Sequence, residues 1–407
     1  MRTIGVIGGG ASGMAAAITI KRCKPNIKVI IFEKNESIGK KILATGNGKC
    51  NFTNKKIESK YYNSSDKTLL QEVLCRFSYE DCITFFHSLG IKELLRDDYC
   101  YPRSGQARTV LMALIRELNH QDVIIKEDCR IDSVKKIKNG FLLTSDNNRQ
   151  YEVQKVILAT GGKAGIGKEP DNMGYQIADK FGHEIIPTVP ALVQLVVDRN
   201  PLKAAKGVRT NAKVTAYCRD KKLAVSSGEL QITDYGISGI LVFQISRFIS
   251  YALYQDESAI VSIDFASEYT KEEFYHFLLE RYRKFPHFTW LEFLNGFFPE
   301  KLAMVLLKLS GLPCNDGIKG CESALQVLIC HTKDLKLSVV GTKGFDMAQV
   351  TAGGVSTKQI NPDTMESCIC PGLYFTGELM DVDGMCGGYN LHFAWASGTI
   401  AGLNCVL

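Results

Sequence analysis

Gly8, Gly10 and Gly13 stand in the spacing G-x-G-x-x-G, and Glu33 follows twenty residues after the last of them. Glycine lets backbone amides approach an anion closely, and a helix that opens there adds partial positive charge. An acid at that remove is placed to accept hydrogen bonds from ribose hydroxyls. The chemistry indicated is capture of a dinucleotide. Gly8 permits the tight turn, Gly10 with Ala11 and Ser12 offers amides to a pyrophosphate, and Gly13 lets a helix pack on a strand.

Further groups with this chemistry lie at three places. Residues 37–54, "SIGKKILATGNGKCNFTN", have no helical or strand period and read as an extended loop crossing the ligand. Lys40 and Lys41 are placed there to neutralise phosphate, and Asn47 and Asn51 to offer amide donors and acceptors. Thr160 and Gly161 end the apolar run "EVQKVILATGG". Near the C-terminus, Gly377 and Glu378 follow the strand pattern Leu373–Thr376, and glycines at 384, 387 and 388 open a small-residue helix at Tyr389. An acid for a ribityl chain and a helix N-terminus aimed at a flavin edge fit FAD better than NAD.

These groups need a scaffold. Thr3–Ile7 reads as a buried parallel strand, Met14–Ile20 as a helix, and "KVIIFEK" as a second strand ending at Glu33, which is the dinucleotide-binding unit in its proper context. The chain of 407 residues is long for one core. Its hydrophobic content of 45% and charged content of 23% are those of a globular protein. The net charge of +6 comes without a long Lys/Arg run, so no nucleic-acid surface is expected. No run of apolar residues is long enough to span a membrane, and a cytoplasmic location is expected. The 14 cysteines include no Cys-x-x-Cys pair, which argues against a zinc site and against a flavin enzyme with a redox dithiol. The seven histidines form no metal-spaced cluster, so no metal is expected. His392 on the last helix reads as packing, and Cys386 as a buried small hydrophobe.

Together "GKKILATGNGKCNFTN", "YPRSGQARTV", "ILATGG", "TAGGV" and "TGELMDVDGMCGGYN" resemble the BaiN-type, YhiN-like FAD-dependent oxidoreductases over nearly the whole chain. The resemblance implies an α/β fold: a discontinuous Rossmann-like FAD-binding domain with an inserted small β-barrel and helical subdomain. On this plan residues 1–190 and 346–407 form the FAD-binding domain. Residues 191–345 form the insert, helical over about 267–333. The pattern agrees: "AKVTAYCRD", "KKLAVSS" and "GELQITD" read as short alternating strands, and "SEYTKEEFYHFLLERYRKF" as a helix. The resemblance adds Lys34, Cys50, Ile131, Asp383, Gly388, Tyr389, Asn390 and Leu391 to the cofactor-binding set. The chain departs from the family pattern at Asp234, where relatives carry a histidine, at Cys386, and at Lys49 in place of an arginine.

The family implies two chemistries. One is NAD(P)H-dependent reduction of conjugated C=C bonds in 3-oxo steroid or bile-acid intermediates; the other is oxidation of an amine such as aminoacetone, with release of hydrogen peroxide. No second nucleotide fold is visible, so NAD(P)H is expected as a transient electron donor. In the reductase reading Tyr235, in the turn "TDYGISG", is the candidate hydrogen-bond donor to the enone oxygen. Arg103 in "YPRSG" is the candidate for a substrate carboxylate. A flavin-binding sensor without catalysis is the remaining class. The partner expected is a small molecule, with no nucleic acid and no membrane span; the oligomeric state is not legible.

Overall fold

The computed structural model describes residues 2–165, 171–318 and 322–407. The chain divides into two compact units, residues 1–188 with 350–407 and residues 189–349, where 190 and 345 were the sequence-based boundaries. Each unit has its own buried apolar core.

The first unit is built on a five-stranded sheet in the order Leu373–Phe375, Lys155–Leu158, Thr3–Ile7, Lys28–Phe32, Ile124–Lys126, with every pairing parallel. Register places Ile7 beside both Phe32 and Leu158, so the strands end at one level. Ile4, Val6, Ile31, Ile157 and Phe375 are wholly buried, as parallel strands covered on both faces require. The first helix, Ala11–Cys23, leaves the first strand through the glycine turn, and Lys21 and Arg22 in its last turn complement its dipole. The last helix, Tyr389–Asn404, packs along it. A small antiparallel sheet, Thr53–Asn54, Tyr99–Pro102 and Glu93–Arg96, and a three-stranded one over residues 131–153 complete the unit. The helix Tyr79–Ser88 opens on a reciprocal cap between Ser78 and Asp81.

The second unit is a closed six-stranded barrel in the order Leu195–Val197, Gly236–Ser238, Lys221–Ile232, Arg209–Cys218, Ala259–Asp264, Leu335–Thr342. The short strand Leu195–Val197 pairs with a neighbour on each side and closes it. Helix Ile240–Tyr254 packs against the barrel. Helices Lys271–Lys284, Trp290–Asn295, Glu300–Leu309 and Ala324–Lys333 follow, the first two opened by Thr-Glu capping boxes.

Two local expectations are corrected. Residues 37–54 are not an extended loop: Lys40–Ala44 is a short helix, followed by a tight turn over Thr45–Gly48. The helix is fixed by a tertiary contact that no periodicity announces, because the side chain of Leu111 lies directly against Gly39. "KKLAVSS" and "GELQITD" are not separate strands. Lys221–Ile232 runs unbroken through Gly228, because its partner Arg209–Cys218 supplies a pairing residue at nearly every step.

Candidate active site

The turn after the first strand has the geometry of an anion cradle. Gly8 lies at φ +110°, and a Cβ there would sit 2.3 Å from the carbonyl oxygen of Ala159. A Cβ on Gly13 would sit 2.0 Å from the Gly8 oxygen, so this helix reaches its strand only with glycine at both places. Around Gly10 a Cβ would meet nothing within 4 Å. The helix that starts at Ala11 has neither a side-chain cap nor an acidic residue in its first turn. Its first amides, from Ala11 and Ser12 onward, face an open space with partial positive charge.

Glu33, 7% exposed, closes one side of this space. Its Oε2 accepts from the Gly9 amide (2.9 Å) and its Oε1 from the Asn35 amide (2.9 Å), which hold the carboxylate beside the turn. The Cys129 amide donates to the Glu33 carbonyl (2.8 Å), so buried Ile131 begins its strand close by. Lys34 is paired with Asp171 at 2.5 Å. On the other side Gly161 lies at φ +73° with open space around it, and the Thr160 hydroxyl is buried without a hydrogen-bond partner. That hydroxyl faces Gly174, whereas the space around Gly10 and Gly161, where a Cβ would meet nothing within 4 Å, is open and amide-lined, as an anionic ligand requires.

The C-terminal segment packs onto the same turn. The Thr376 hydroxyl donates to Ser12 Oγ (3.1 Å), and the Gly377 amide to Ser397 Oγ (2.9 Å). Glu378 accepts from the Thr351 amide through Oε1 (2.9 Å) and pairs with Lys41 through Oε2 (2.6 Å). Lys40 instead pairs with Glu36 one turn away (2.8 Å), in solvent. Beyond lies a second uncapped helix start. Gly388, at φ +91°, sits where a Cβ would be 2.6 Å from the Thr53 oxygen, and Tyr389 opens the last helix with no acid in its first turn. Asn390 bonds both the amide and the carbonyl of Gly384 (2.8 Å each), which fixes the turn before it. Asp383 is buried and accepts from Asn63 (3.2 Å). Leu391 is half-buried, packed against the core. Asn51 is buried and accepts from the Cys100 amide (3.2 Å), while Asn47 is exposed at φ +53°. Cys50 is wholly buried, which pushes its thiol up to about 12. Cys386 is half-buried rather than buried as expected, yet desolvation by its surroundings still raises its thiol to about 12, so neither thiol is a nucleophile at neutral pH.

Several groups at this helix start were not singled out from sequence. Tyr61 stacks on Tyr389 with centroids 5.0 Å apart, Tyr62 meets it edge-on and donates to its carbonyl (3.0 Å), and Asn54 donates to the Gly387 carbonyl (2.9 Å). His392 is 0% exposed; its Nε2 donates to the Phe77 carbonyl (3.1 Å) and its Nδ1 accepts from Thr53 Oγ1 (2.8 Å). Burial lowers its pKa to about 4. These positions converge through a bridge between Tyr62–Asn63 and Asp383–Gly384, a long-range pairing that no local pattern encodes.

Arg103 lies in this unit at the end of Tyr99–Pro102, exposed. Tyr235 belongs to the barrel unit, half-buried in the turn before Gly236–Ser238, with the Lys343 ammonium 4.9 Å from its ring centroid. The neighbouring Asp234 pairs with Lys206 (2.8 Å). No group of three or more metal-ligating side chains occurs among the described residues. No described helix is long and apolar enough to cross a membrane.

The HI0933-like protein Rossmann domain family matches residues 2–404. The chain belongs to this family. It is 46% identical, over 99% of its length and 98% of the relative's, to the 3-dehydro-bile acid delta(4,6)-reductase of Clostridium scindens. It is 31% identical, over 96% of its length and 95% of the relative's, to the ribosomal RNA dihydrouridine synthase of Escherichia coli. Among solved structures, 3-ketosteroid-delta4-(5alpha)-dehydrogenase from Rhodococcus jostii RHA1 superposes with a TM-score of 0.51 at 14% identity. That match covers 100% of this chain and 97% of the other, and it shows a shared fold. As a member of the HI0933-like family, the protein is an FAD-dependent oxidoreductase with a Rossmann FAD-binding unit and a closed-barrel unit.

Proposed function

We propose that the protein reduces a C=C bond conjugated to the 3-oxo group of a steroid or bile-acid skeleton, with NAD(P)H as electron donor, in the cytoplasm. The observation that carries this reading is 46% identity across 99% of the chain to a bile-acid reductase. The overall reaction is enone + NAD(P)H + H⁺ → saturated ketone + NAD(P)⁺.

The cradle fits FAD, and its residues divide the work. Gly10, Ala11 and Ser12 would hold the pyrophosphate at the helix start, and Glu33, with Lys34 and Ile131 beside it, would hold the adenosine ribose. Thr160, Gly161, Gly377 and Glu378, the last paired with Lys41, would line the middle of the cofactor. Asn47, Cys50, Asn51, Asp383, Gly388, Tyr389, Asn390 and Leu391 would shape the flavin end. Bound FAD supplies hydride transfer at its ring. The uncapped start of the last helix would stabilise negative charge on that side, and half-buried Tyr61 with buried Tyr389 would limit water there.

Tyr235 is assigned the hydrogen bond to the enone oxygen. Negative charge developing there is favoured by the Lys343 ammonium over its ring. The dihydrouridine synthase relative is compatible with the same chemistry, since a uracil C=C is also conjugated to a carbonyl.

The test is anaerobic stopped-flow spectroscopy. FAD-loaded protein is reduced with NADH or NADPH and mixed with a 3-oxo-4-ene steroid acid. Rapid return of oxidised-flavin absorbance is expected, slowed at least tenfold in Tyr235→Phe. No reoxidation by the enone, with rapid reoxidation by air and peroxide formed from an amine, would overturn the reductase reading in favour of an amine oxidase.

A further inference from the structure

Side chains alternate along the strand Tyr99–Pro102. Cys100 and Pro102 point to the core, and Tyr99 and Tyr101 lie half-buried on the other face. The Arg103 amide continues the ladder to the Lys92 carbonyl (2.7 Å), so the same alternation puts its side chain on the face of the two tyrosines. Residues two apart in a strand are about 7 Å apart, which makes the face about 13 Å long from Tyr99 to Arg103.

The two ends of this face differ. At one end a Cβ on Gly387 would sit 2.8 Å from the Tyr99 ring, and Asn54, directly across from Tyr99, bonds the Gly387 carbonyl. That end therefore abuts the glycine turn opening the last helix. In the middle, the Tyr101 ring lies 3.6 Å from where a Gly46 Cβ would be, Leu94 pairs across from it, and the Arg96 guanidinium, from across Tyr99, lies 5.9 Å from its centroid. At the far end Arg103 is exposed and makes no ion pair with any described residue, while Lys92 lies across the ladder. The face runs from the glycine turn, over two aromatic rings flanked by Arg96, to the guanidinium of Arg103 at its far end.

We infer that this strip holds the substrate lengthwise. Tyr99 and Tyr101 pack against a flat apolar ring system whose ketone end lies toward Gly387, and Arg103 pairs with a carboxylate on the side chain at the opposite end. This rests on the reductase reading above and names what it leaves open: the strip selects a steroid carrying a remote carboxylate over a neutral one. A guanidinium–carboxylate pair supplies charge-assisted hydrogen bonds, and the rings supply apolar area at small entropic cost.

The experiment is calorimetric binding to FAD-loaded protein, with a saturated 3-oxo steroid acid and its methyl ester as probes. Arg103→Gln should weaken the acid about tenfold and leave the ester unchanged, with Arg103→Lys intermediate. Tyr101→Leu should weaken acid and ester alike, by about fivefold. Flavin absorbance verifies that each variant is loaded. Equal weakening of acid and ester in Arg103→Gln would overturn the inference, as would no preference for the acid in the parent protein. So would an Arg103→Gln effect confined to a uridine-containing RNA oligonucleotide. Acid-selective binding that persists while the enone is not reduced would leave the strip standing and remove the reaction assigned above.

Discussion

His392 makes the stability of the FAD-binding unit depend on pH in a calculable way. Its ring is wholly buried, with Nε2 donating to the Phe77 carbonyl and Nδ1 accepting from Thr53. Both bonds suit the neutral ring, and protonation would set an Nδ1 proton against the hydroxyl hydrogen of Thr53. Desolvation lowers the pKa of the folded-state ring to about 4, from an ordinary histidine value of 6.5. A histidine with a depressed folded pKa is protonated first in the unfolded chain. Its contribution is therefore fully retained above pH 6.5 and lost as pH falls toward 4. Between pH 7 and pH 5 this amounts to about 2 kcal/mol, and the whole span is worth about 3 kcal/mol.

The assay is urea unfolding at pH 7 and pH 5. Of the two tryptophans, Trp395 lies in this unit, donating to the Phe52 carbonyl, and Trp290 lies in the barrel unit. In a Trp290→Phe background fluorescence reports the FAD-binding unit alone. The comparison is with His392→Gln in that background, so that titration of carboxylates and of buried His183 cancels. The parent should lose about 2 kcal/mol more than the variant on acidification. Equal losses in the two proteins would refute the argument, since only a ring that titrates alike in the folded and unfolded chains carries no such linkage.

Two further outcomes follow from the same geometry. Gly8→Ala places a Cβ 2.3 Å from the Ala159 oxygen at φ +110°, and should cost at least about 2 kcal/mol with loss of FAD from the purified protein, read from the flavin absorbance ratio. Thiol labelling at pH 8 should modify Cys23, Cys75, Cys330 and Cys368, which are exposed, and spare Cys50 and Cys386, whose thiols are held near 12; mass spectrometry of the labelled peptides distinguishes the sets.

What the sequence makes legible is what is encoded locally. The turn Gly8–Gly13 and the strands on either side are written in a run of apolar residues, three glycines and one acid, and the parallel sheet follows from them. The barrel is legible as short alternating strands, although its longest strand, Lys221–Ile232, is pairing imposed by a neighbour rather than by its own pattern. The short helix Lys40–Ala44 escapes because its context is the side chain of Leu111, some seventy residues away. Tyr61, Tyr62 and Asn54 escape for the same reason, since each reaches the last helix through contacts more than three hundred residues apart in sequence. Tyr99 and Tyr101 are different. The alternation in "YCYPR" marks a strand with one buried and one half-open face, and that signal was present in the sequence.

The two ends of the chain meet for a reason that the helix geometry supplies. A Cβ on Gly398 would lie 2.3 Å from the Ser12 oxygen, and one on Gly402 would lie 2.7 Å from the Ala16 oxygen. Each step of four residues along one helix matches four along the other, so the first and last helices run parallel and in backbone contact. The last helix therefore starts roughly nine residues before the level of Ser12, about 14 Å at the rise of an α-helix. Antiparallel packing would have set a carbonyl end beside one amide end. Parallel packing instead presents two uncapped amide ends to the same side at two heights, one for a pyrophosphate and one for a ring system that takes up negative charge on reduction. A single helix start cannot serve groups so far apart on one cofactor. The small residues of "GGYNLHFAWASG" are what allow the second start to be held against the first.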